Sequence, residues 1–493
     1  MSQIPALETL SFDSNKPEHR LAFAVGTALL AYGIYTIVAA LTSPLRAIPG
    51  PFWARFTRLW YLKEVWTHKA HRTNLELHKN HGPIVRIAPN EYSLDDPAAC
   101  KILYGHGTDF QKGPWYQGSA NGAGDYKENT FSERDPKKHA AMRRKGASLY
   151  TMSSLLKMEP AVDECIHFVQ KHFGSISQNR QAVNLQWWMQ CYAFDVIGNI
   201  TVDKRFGFLD NGTDPFGLIK SLHHFLAYSA RIGVIPELHD MCLKIMQLGP
   251  TNGFAAVAAF TVKQVKDYLA RSEVEGDLMD TGTFMARLMK LHQEKPDVMS
   301  ETDALNVCLG NVAAGSDTTS MFWGLMRNPE AYAKLRAEID EKHAKGCEDP
   351  LSFADAQSMP YLQAVIKEAL RLHPAGSLPL SRVVPDKGAT ISGQYFPKGT
   401  IVGINPWVAG RNADVFGDDP EAFKPERWLV SKEEAQRMDN YMLAFGLGSR
   451  TCLGKNIALL EMNKLVPQIV RNYDLSLVDP TMKLETKNVW FVQ

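Results

Sequence analysis

Polar and apolar positions first separate cleanly at Leu21 to Leu41 (LAFAVGTALLAYGIYTIVAAL), an apolar run without a charged residue. At about 1.5 Å of rise per residue the run spans roughly a bilayer core, which predicts one transmembrane helix. It lies behind a polar leader carrying Asp13, Lys16, Glu18 and Arg20, and it exceeds the apolar region of a signal peptide. A cleaved signal or a buried core helix are the competing readings. Arg46, Arg55, Arg58 and Lys63 follow the run, against Lys16 and Arg20 before it, so the positive-inside bias puts the C-terminal part in the cytosol. "IPGPF" (Ile48 to Phe52) then denies the backbone helical continuation and predicts a stiff bend. Beyond it helical periodicity dominates, broken by short alternating pieces such as "IVRIA" (84–88) and "ATISG" (389–393). The pattern predicts a mainly α chain with small β-sheets, divided into a leader (1–20), an anchor (21–41), a proline-rich hinge (42–58) and one large body (59–493).

Composition narrows the function classes. With 54 basic and 53 acidic residues among 493, the net charge of +1 gives no global attraction for nucleic acid or acidic membranes. The seven cysteines are odd in number and widely spaced, with no CxxC pair and no Cys/His cluster of zinc spacing. That argues against a disulfide framework or structural zinc and predicts mostly buried thiols in a reducing compartment. Cys452 is the exception: "AFGLGSRTCLG" (444–454) sets it among small, permissive residues close to Phe445 and Arg450.

Three other segments bear on Cys452. In "YLQAVIKEALRLHP", Glu368 and Arg371 lie three positions apart on a helical pattern that Pro374 closes, so they share a face and can pair. Such a pair is usually a solvated surface pair worth less than ~1 kcal/mol. "FKPERWL" (423–429) offers Arg427 as a second guanidinium for the same carboxylate. "NVAAGSDTTS" (311–320) lies in a helical run, yet carries Gly315, Asp317, Thr318 and Thr319, residues that weaken a helix.

In this order the segments resemble the cytochrome P-450 family of haem-thiolate monooxygenases. Phe445, Gly448, Arg450, Cys452 and Gly454 fill the haem-loop signature Phe-x-x-Gly-x-Arg-x-Cys-x-Gly. At average residue usage those fixed positions arise by chance in such a chain with probability on the order of 10⁻⁴. Glu368-x-x-Arg371, Pro425-Glu426-Arg427-Trp428 and Ala314-Gly315-x-Asp317-Thr318-Thr319 stand in family order. "GPIVRIAPNEYSLDD" and "DFQKGPWY" resemble, less specifically, the pisatin demethylase-like branch of filamentous-fungal secondary metabolism.

The resemblance implies a cytochrome P-450 fold behind a single transmembrane helix, and haem b (iron protoporphyrin IX) held by Cys452 as the axial thiolate ligand. Glycines 446, 448 and 454 would let the loop turn tightly and leave N–H groups for the sulfur, and Phe445 would keep the sulfur dry. Arg450 would neutralise a haem propionate, with His139 and Arg143 of "KKHAAMRR" and Arg382 of "SLPLSRVVP" beside it. For these three a solvated basic surface is the alternative. On the opposite face Ala314 and Gly315 would leave space for dioxygen, Thr318 would hydrogen-bond it and Asp317 would relay protons; a capped helix break is the alternative for that pair. Glu368, Arg371 and Arg427 would be structural support for the cysteine loop.

Implied partners are dioxygen, a hydrophobic small-molecule substrate, and NADPH-cytochrome P-450 reductase, with cytochrome b5 as a further donor. No glycine-rich dinucleotide fingerprint follows a strand in this chain, so the electrons must come from elsewhere. Lys137, Lys138, Arg144, Lys145 and Lys455 are docking cations by analogy, with ordinary solvated lysines as the alternative. The implied location is the endoplasmic reticulum membrane, single-pass, with the body cytosolic. Phe110 to Tyr116, Leu226 to Ile235, Ala375 to Leu378 and Trp490–Phe491 are expected to shape an apolar pocket. An isomerase or lyase of the same fold, and a haem-binding protein without turnover, stay open.

One departure from the family stands out. Between Thr319 and the helix start at Asn328 the chain offers only "SMFWGLMR" (320–327), about five residues fewer than members of the family carry, which is roughly 7.5 Å of helix rise and 140° of rotation. Either the written sequence omits codons at a splice junction, or the deletion is real, the oxygen-side helix ends early, and "FWGLMR" is a taut connector. Asn328 as N-cap and Pro329 at N1 mark the next helix.

Overall fold

The computed structural model describes residues 16–120, 129–246, 253–275, 281–313 and 319–492. The apolar run forms a helix over Pro17–Thr42 with no buried residue, a candidate membrane span by length and hydropathy. It starts before Leu21 because Pro17 occupies the first turn, where its missing N–H costs nothing.

The proline-rich hinge is strapped to the body. Leu45 and Ile48 are buried, Arg86 N donates to Pro49 O at 2.8 Å, and Arg86 Nη2 donates to Leu45 O at 2.7 Å. Gly50 is required here: its φ is +154° and a Cβ would lie 2.3 Å from Arg86 O.

Helices carry most of the body. The main sheet has the order β1-β2-β7-β4-β3, built from β1 (Ile84–Ala88), β2 (Glu91–Leu94), β3 (Gln111–Lys112), β4 (Arg382–Val383) and β7 (Ile401–Ile404). β2 and β7 run parallel and the other pairs antiparallel. The expected strand at 84–88 is β1; "ATISG" supplies β5 (Ala389–Ile391), which hairpins onto β6 (Gln394–Phe396). A third small sheet pairs β8 (Asn488–Val489) with β9 (Phe491–Val492). The register of β3 on β4 sets Lys112 opposite Arg382, although they are far apart in sequence.

Two apolar clusters form the core, a large one among the helices and a smaller one around Tyr92, Leu94, Phe396, Val402 and Ile404 under the main sheet. No cysteine is in a disulfide; Cys100, Cys165, Cys191 and Cys308 are buried, Cys242 and Cys347 partly so, and Cys452 is exposed.

The taut-connector expectation is overturned. Thr319–Arg327 is a helix, because Met321, Phe322 and Leu325 share one face and bury it completely. A Cβ on Gly324 would meet the Phe423 ring at 2.5 Å, so this helix packs close to its neighbour. Pro329 opens the helix Pro329–Ala344 as expected, but the Asn328 side chain does not cap it. Its Nδ2 turns back to donate to Gly324 O at 2.7 Å, satisfying a carbonyl of the preceding helix.

Candidate functional site

The cysteine loop is shaped by two glycines and one backbone bond. Gly446 and Gly448 take φ of +64° and +63°, and a Cβ on Gly448 would come within 1.8 Å of Tyr104 O, so only glycine fits. Cys452 N donates to Phe445 O at 2.8 Å, closing the loop. Gly454 has an ordinary φ of −76°, so its expected role in the tight turn does not hold; it precedes the helix Lys455–Asn472 and sits close beneath the sulfur. Burial pushes the Cys452 thiol up, while the N–H groups of Gly454 and Lys455 and the charges of Arg143 and Lys455 pull it down. The Cys452 side chain is exposed. Phe445 is half-buried, with Lys455 Nζ 6.0 Å over its ring.

Around this loop the chain gathers cations. His139 and Arg382 are buried and not on a solvated face, and Arg143 and Arg450 are half-buried. Asp135 caps the helix Pro136–Gly146 by accepting from Lys137 N and Lys138 N, and that helix presents His139 and Arg143. Main-chain carbonyls hold these cations. Arg143 donates to Thr451 O at 2.7 Å, Arg450 to Glu133 O at 2.7 Å and Arg134 O at 3.1 Å, and Arg382 to Ser381 O at 3.0 Å.

Sequence reasoning missed Lys112. Its Nζ donates to Phe131 O and lies 4.4 Å from the Tyr116 ring and 4.5 Å from the Phe131 ring. Burial, then Arg382, Arg450 and Arg143, depress it far below a lysine's usual range, with Glu133 opposing. Burial, then Arg450, Lys112, Arg143 and Arg382, push His139 down to about 3, and burial, then Arg382, push Arg450 down to about 10 against Glu133, Tyr116 and Asp135. The signal lay in "DFQKGPWY", a lysine between aromatics, but only the β3–β4 register brings it to Arg382.

This cluster tests the fit of a haem group. Carbonyl-held cations that depress one another in a buried space are suited to carboxylates, which would relieve the repulsion. A reachable thiol beside a helix start is suited to a metal. The residues present fit a haem group: Lys112, His139, Arg143, Arg382 and Arg450 could hold its propionates, and Cys452 could ligate its iron.

Behind the loop, Glu368 and Arg371 are fully buried and pair bidentately, Nε to Oε2 at 2.8 Å and Nη2 to Oε1 at 2.7 Å. Arg427 Nε joins Oε1 at 2.9 Å, and two donors the sequence did not disclose, Trp428 Nε1 at 3.0 Å and Lys424 N at 2.8 Å, complete the carboxylate's shell. Ala314, Gly315, Asp317 and Thr318 lie outside the described residues. Of the docking cations, Lys137, Lys138, Arg144 and Lys455 are exposed, while Lys145 pairs with Asp303 at 2.6 Å.

The expected pocket segments do meet. Trp115 and Trp490 pack edge to face at 5.1 Å, Gly376 bridges to Phe491, and the 3₁₀ turn Pro114–Ser119 packs on the helix Leu218–Ile232.

A helical body with small sheets and a glycine-shaped cysteine loop beneath a nest of cations defines a haem-thiolate class of protein. The family model for cytochrome P-450 matches residues 48–493, and the chain belongs to that family. It is 38% identical over 479 residues to pisatin demethylase of Fusarium vanettenii, covering 95% of this chain and 93% of that protein. It is 35% identical over 473 residues to the cytochrome P-450 monooxygenase cicH of Emericella nidulans, covering 94% and 95%. It is 33% identical over 489 residues to the monooxygenase pkfB of the same organism, covering 96% and 95%. Members of the family bind haem b through a cysteine thiolate and draw on dioxygen, a redox partner and a small-molecule substrate. The chain is an oxidoreductase of the cytochrome P-450 monooxygenase type.

Proposed function

We propose that this chain is an anchored monooxygenase that places one oxygen atom of dioxygen into a hydrophobic small molecule. The other atom leaves as water, with a pair of electrons and a pair of protons consumed. The haem, when bound, supplies dioxygen activation favoured by its thiolate ligand. Cys452 would provide that thiolate, with the Gly454 and Lys455 N–H groups steadying its charge. Lys112, His139, Arg143, Arg382 and Arg450 would orient the group through its carboxylates. Thr318 would hold a hydrogen bond on the oxygen side, Asp317 would pass protons from solvent, and Ala314 and Gly315 would leave room there. Glu368, Arg371 and Arg427 would keep the loop's support rigid.

The electrons would come from NADPH-cytochrome P-450 reductase, with cytochrome b5 as a second donor, docking on the exposed cations Lys137, Lys138, Arg144 and Lys455. The leader, anchor and hinge, residues 1–58, would hold the body on the cytosolic face of the endoplasmic reticulum.

The observation that carries this reading is Cys452, the one exposed cysteine, set among glycine-shaped backbone and a cluster of buried and half-buried cations. Purified protein should give the long-wavelength absorption of a thiolate-ligated ferrous carbonyl complex, and Cys452→Ser should fold without it. Retention of that band in the variant would falsify the assignment. Reductase-dependent oxygen consumption with an oxygenated product separates the monooxygenase from an isomerase or lyase, which needs no external electrons.

A further inference from the structure

Two glycines set the height of one indole. A Cβ on Gly233, at the end of the helix Leu218–Ile232, would fall 2.6 Å from both Cδ1 and Nε1 of Trp115. Its φ of −59° suits any residue, so glycine is needed there for space and not for conformation. Gly118 meets the same place from the other side, since a Cβ on it would lie 2.9 Å from Gly233 N and from Ile232 Cγ2. The indole thus rests directly on backbone.

The opposite edge of Trp115 meets Trp490 at 5.1 Å and 78°. Trp490 itself is in the left-handed region, with φ of +86°. That conformation costs about 1–3 kcal/mol in a non-glycine residue and persists only where neighbours over-determine it. Here Asn488 Oδ1 accepts from Trp490 N at 2.9 Å, Ser377 N donates to Trp490 O at 3.3 Å, and Asn488 Nδ2 donates to Ser377 O at 2.9 Å. The segment after the apolar helix secures both supports. Asn488 N donates to His68 O and His68 Nδ1 to Asn488 O, each at 3.1 Å, while Arg231 stacks 4.3 Å over Trp66 two residues before Gly233.

The rings continue from Trp490 to Phe131 at 4.6 Å and on to Tyr116 at 5.1 Å. Lys112 touches both of the latter, so this aromatic wall borders the cation nest next to the cysteine loop. Trp115 is half-buried and Phe131 is 38% exposed.

We propose that Trp115 is a specificity-determining residue that offers this wall to a flat aromatic ring of the substrate, and that Gly233 and Trp490 are its positioning residues. The inference rests on the monooxygenase reading. Ring stacking prefers offset or edge-on contact at 4.5–7 Å, so a displacement of the indole by one methyl group is felt by a flat ligand and hardly by a small one.

The test is spectral titration of the purified full chain with imidazole and with 4-phenylimidazole, both of which ligate haem iron through nitrogen. Gly233→Ala should weaken 4-phenylimidazole about tenfold and imidazole less than about twofold, with haem content and melting temperature unchanged. In a Trp115→Ala background the same Gly233 change should cost nothing further, and Trp115→Phe should retain more 4-phenylimidazole affinity than Trp115→Ala. A Gly233 penalty that persists without Trp115, or equal weakening of both probes, overturns the inference. If Gly233→Ala does not fold, Trp490→Phe runs the same cycle from the other support, with the same outcomes deciding. No imidazole spectrum in the unaltered chain overturns the monooxygenase reading, and this inference with it.

Discussion

Arg143 donates from Nη1 to the carbonyl oxygen of Thr451 at 2.7 Å, which ties the helix Pro136–Gly146 to the residue immediately before Cys452. The same guanidinium acts on the thiol through its charge. One side chain therefore fixes the loop's backbone and helps set its electrostatics. A charge-assisted bond contributes about 1.5–3 kcal/mol, so Arg143→Ala should speed haem loss by roughly tenfold or more. Haem transfer to apomyoglobin measures this, and Arg143→Lys should recover only part of the loss because it lacks the planar fork. An unchanged transfer rate in Arg143→Ala would remove the residue from the site.

Glu368 should matter for stability and depend on pH in one direction. Burial raises its carboxyl, but Arg371, Arg427 and the Lys424 N–H outweigh burial and hold it below the usual glutamate value. A carboxyl depressed in the folded state stabilises fully above its unfolded value and loses that contribution as pH falls through the folded one. Glu368→Gln leaves two guanidiniums around a neutral amide and should cost about 3–5 kcal/mol near neutral pH. The gap between the two proteins in denaturant midpoint should narrow as the pH drops below the glutamate range. A gap that widens in acid would refute the assigned sign.

How much of this was legible before folding depended on distance along the chain. Cys452, Gly448 and Arg450 stand within a few residues, so their pattern announced the loop. Glu368 and Arg371 were legible as a pair because helical spacing puts them on one face, but Trp428 and Lys424 reach the same carboxylate only through the 3₁₀ turn Pro425–Leu429. Lys112 was invisible as a site residue because a two-residue strand has no periodicity and its neighbour Arg382 is supplied by register. Met321, Phe322 and Leu325 did carry a helical face that an argument from segment length overlooked.

If Thr318 manages bound dioxygen, Thr318→Ala should keep haem and substrate binding while reducing equivalents drain to peroxide or water. The readout is product formed per NADPH oxidised, which is expected to fall several-fold. An unchanged ratio would move the role to Thr319.

The short segment after Thr319 makes the last prediction. Upstream, the helix Glu301–Ala313 is pinned by Cys308 and Val312 in the core and by Asn311, which accepts from Tyr150 OH at 2.6 Å and donates to Thr201 Oγ1 at 3.1 Å. Downstream, Met321, Phe322 and Leu325 are buried and Gly324 lies against Phe423, so that half is pinned as well. A length change between two fixed halves cannot be passed along the chain. Five residues amount to roughly 7.5 Å and 140° on a helix, enough to take a side chain off its target. The chain as written should therefore bind haem through an intact Cys452 loop and turn over poorly, and inserting five helix-forming residues after Ser320 should raise product per NADPH. Sequencing the transcript tests the alternative origin, since extra codons at that point would identify a splice error. If the transcript matches and the insertion lowers the melting temperature without any gain in coupling, the present length is the working one and the prediction is wrong.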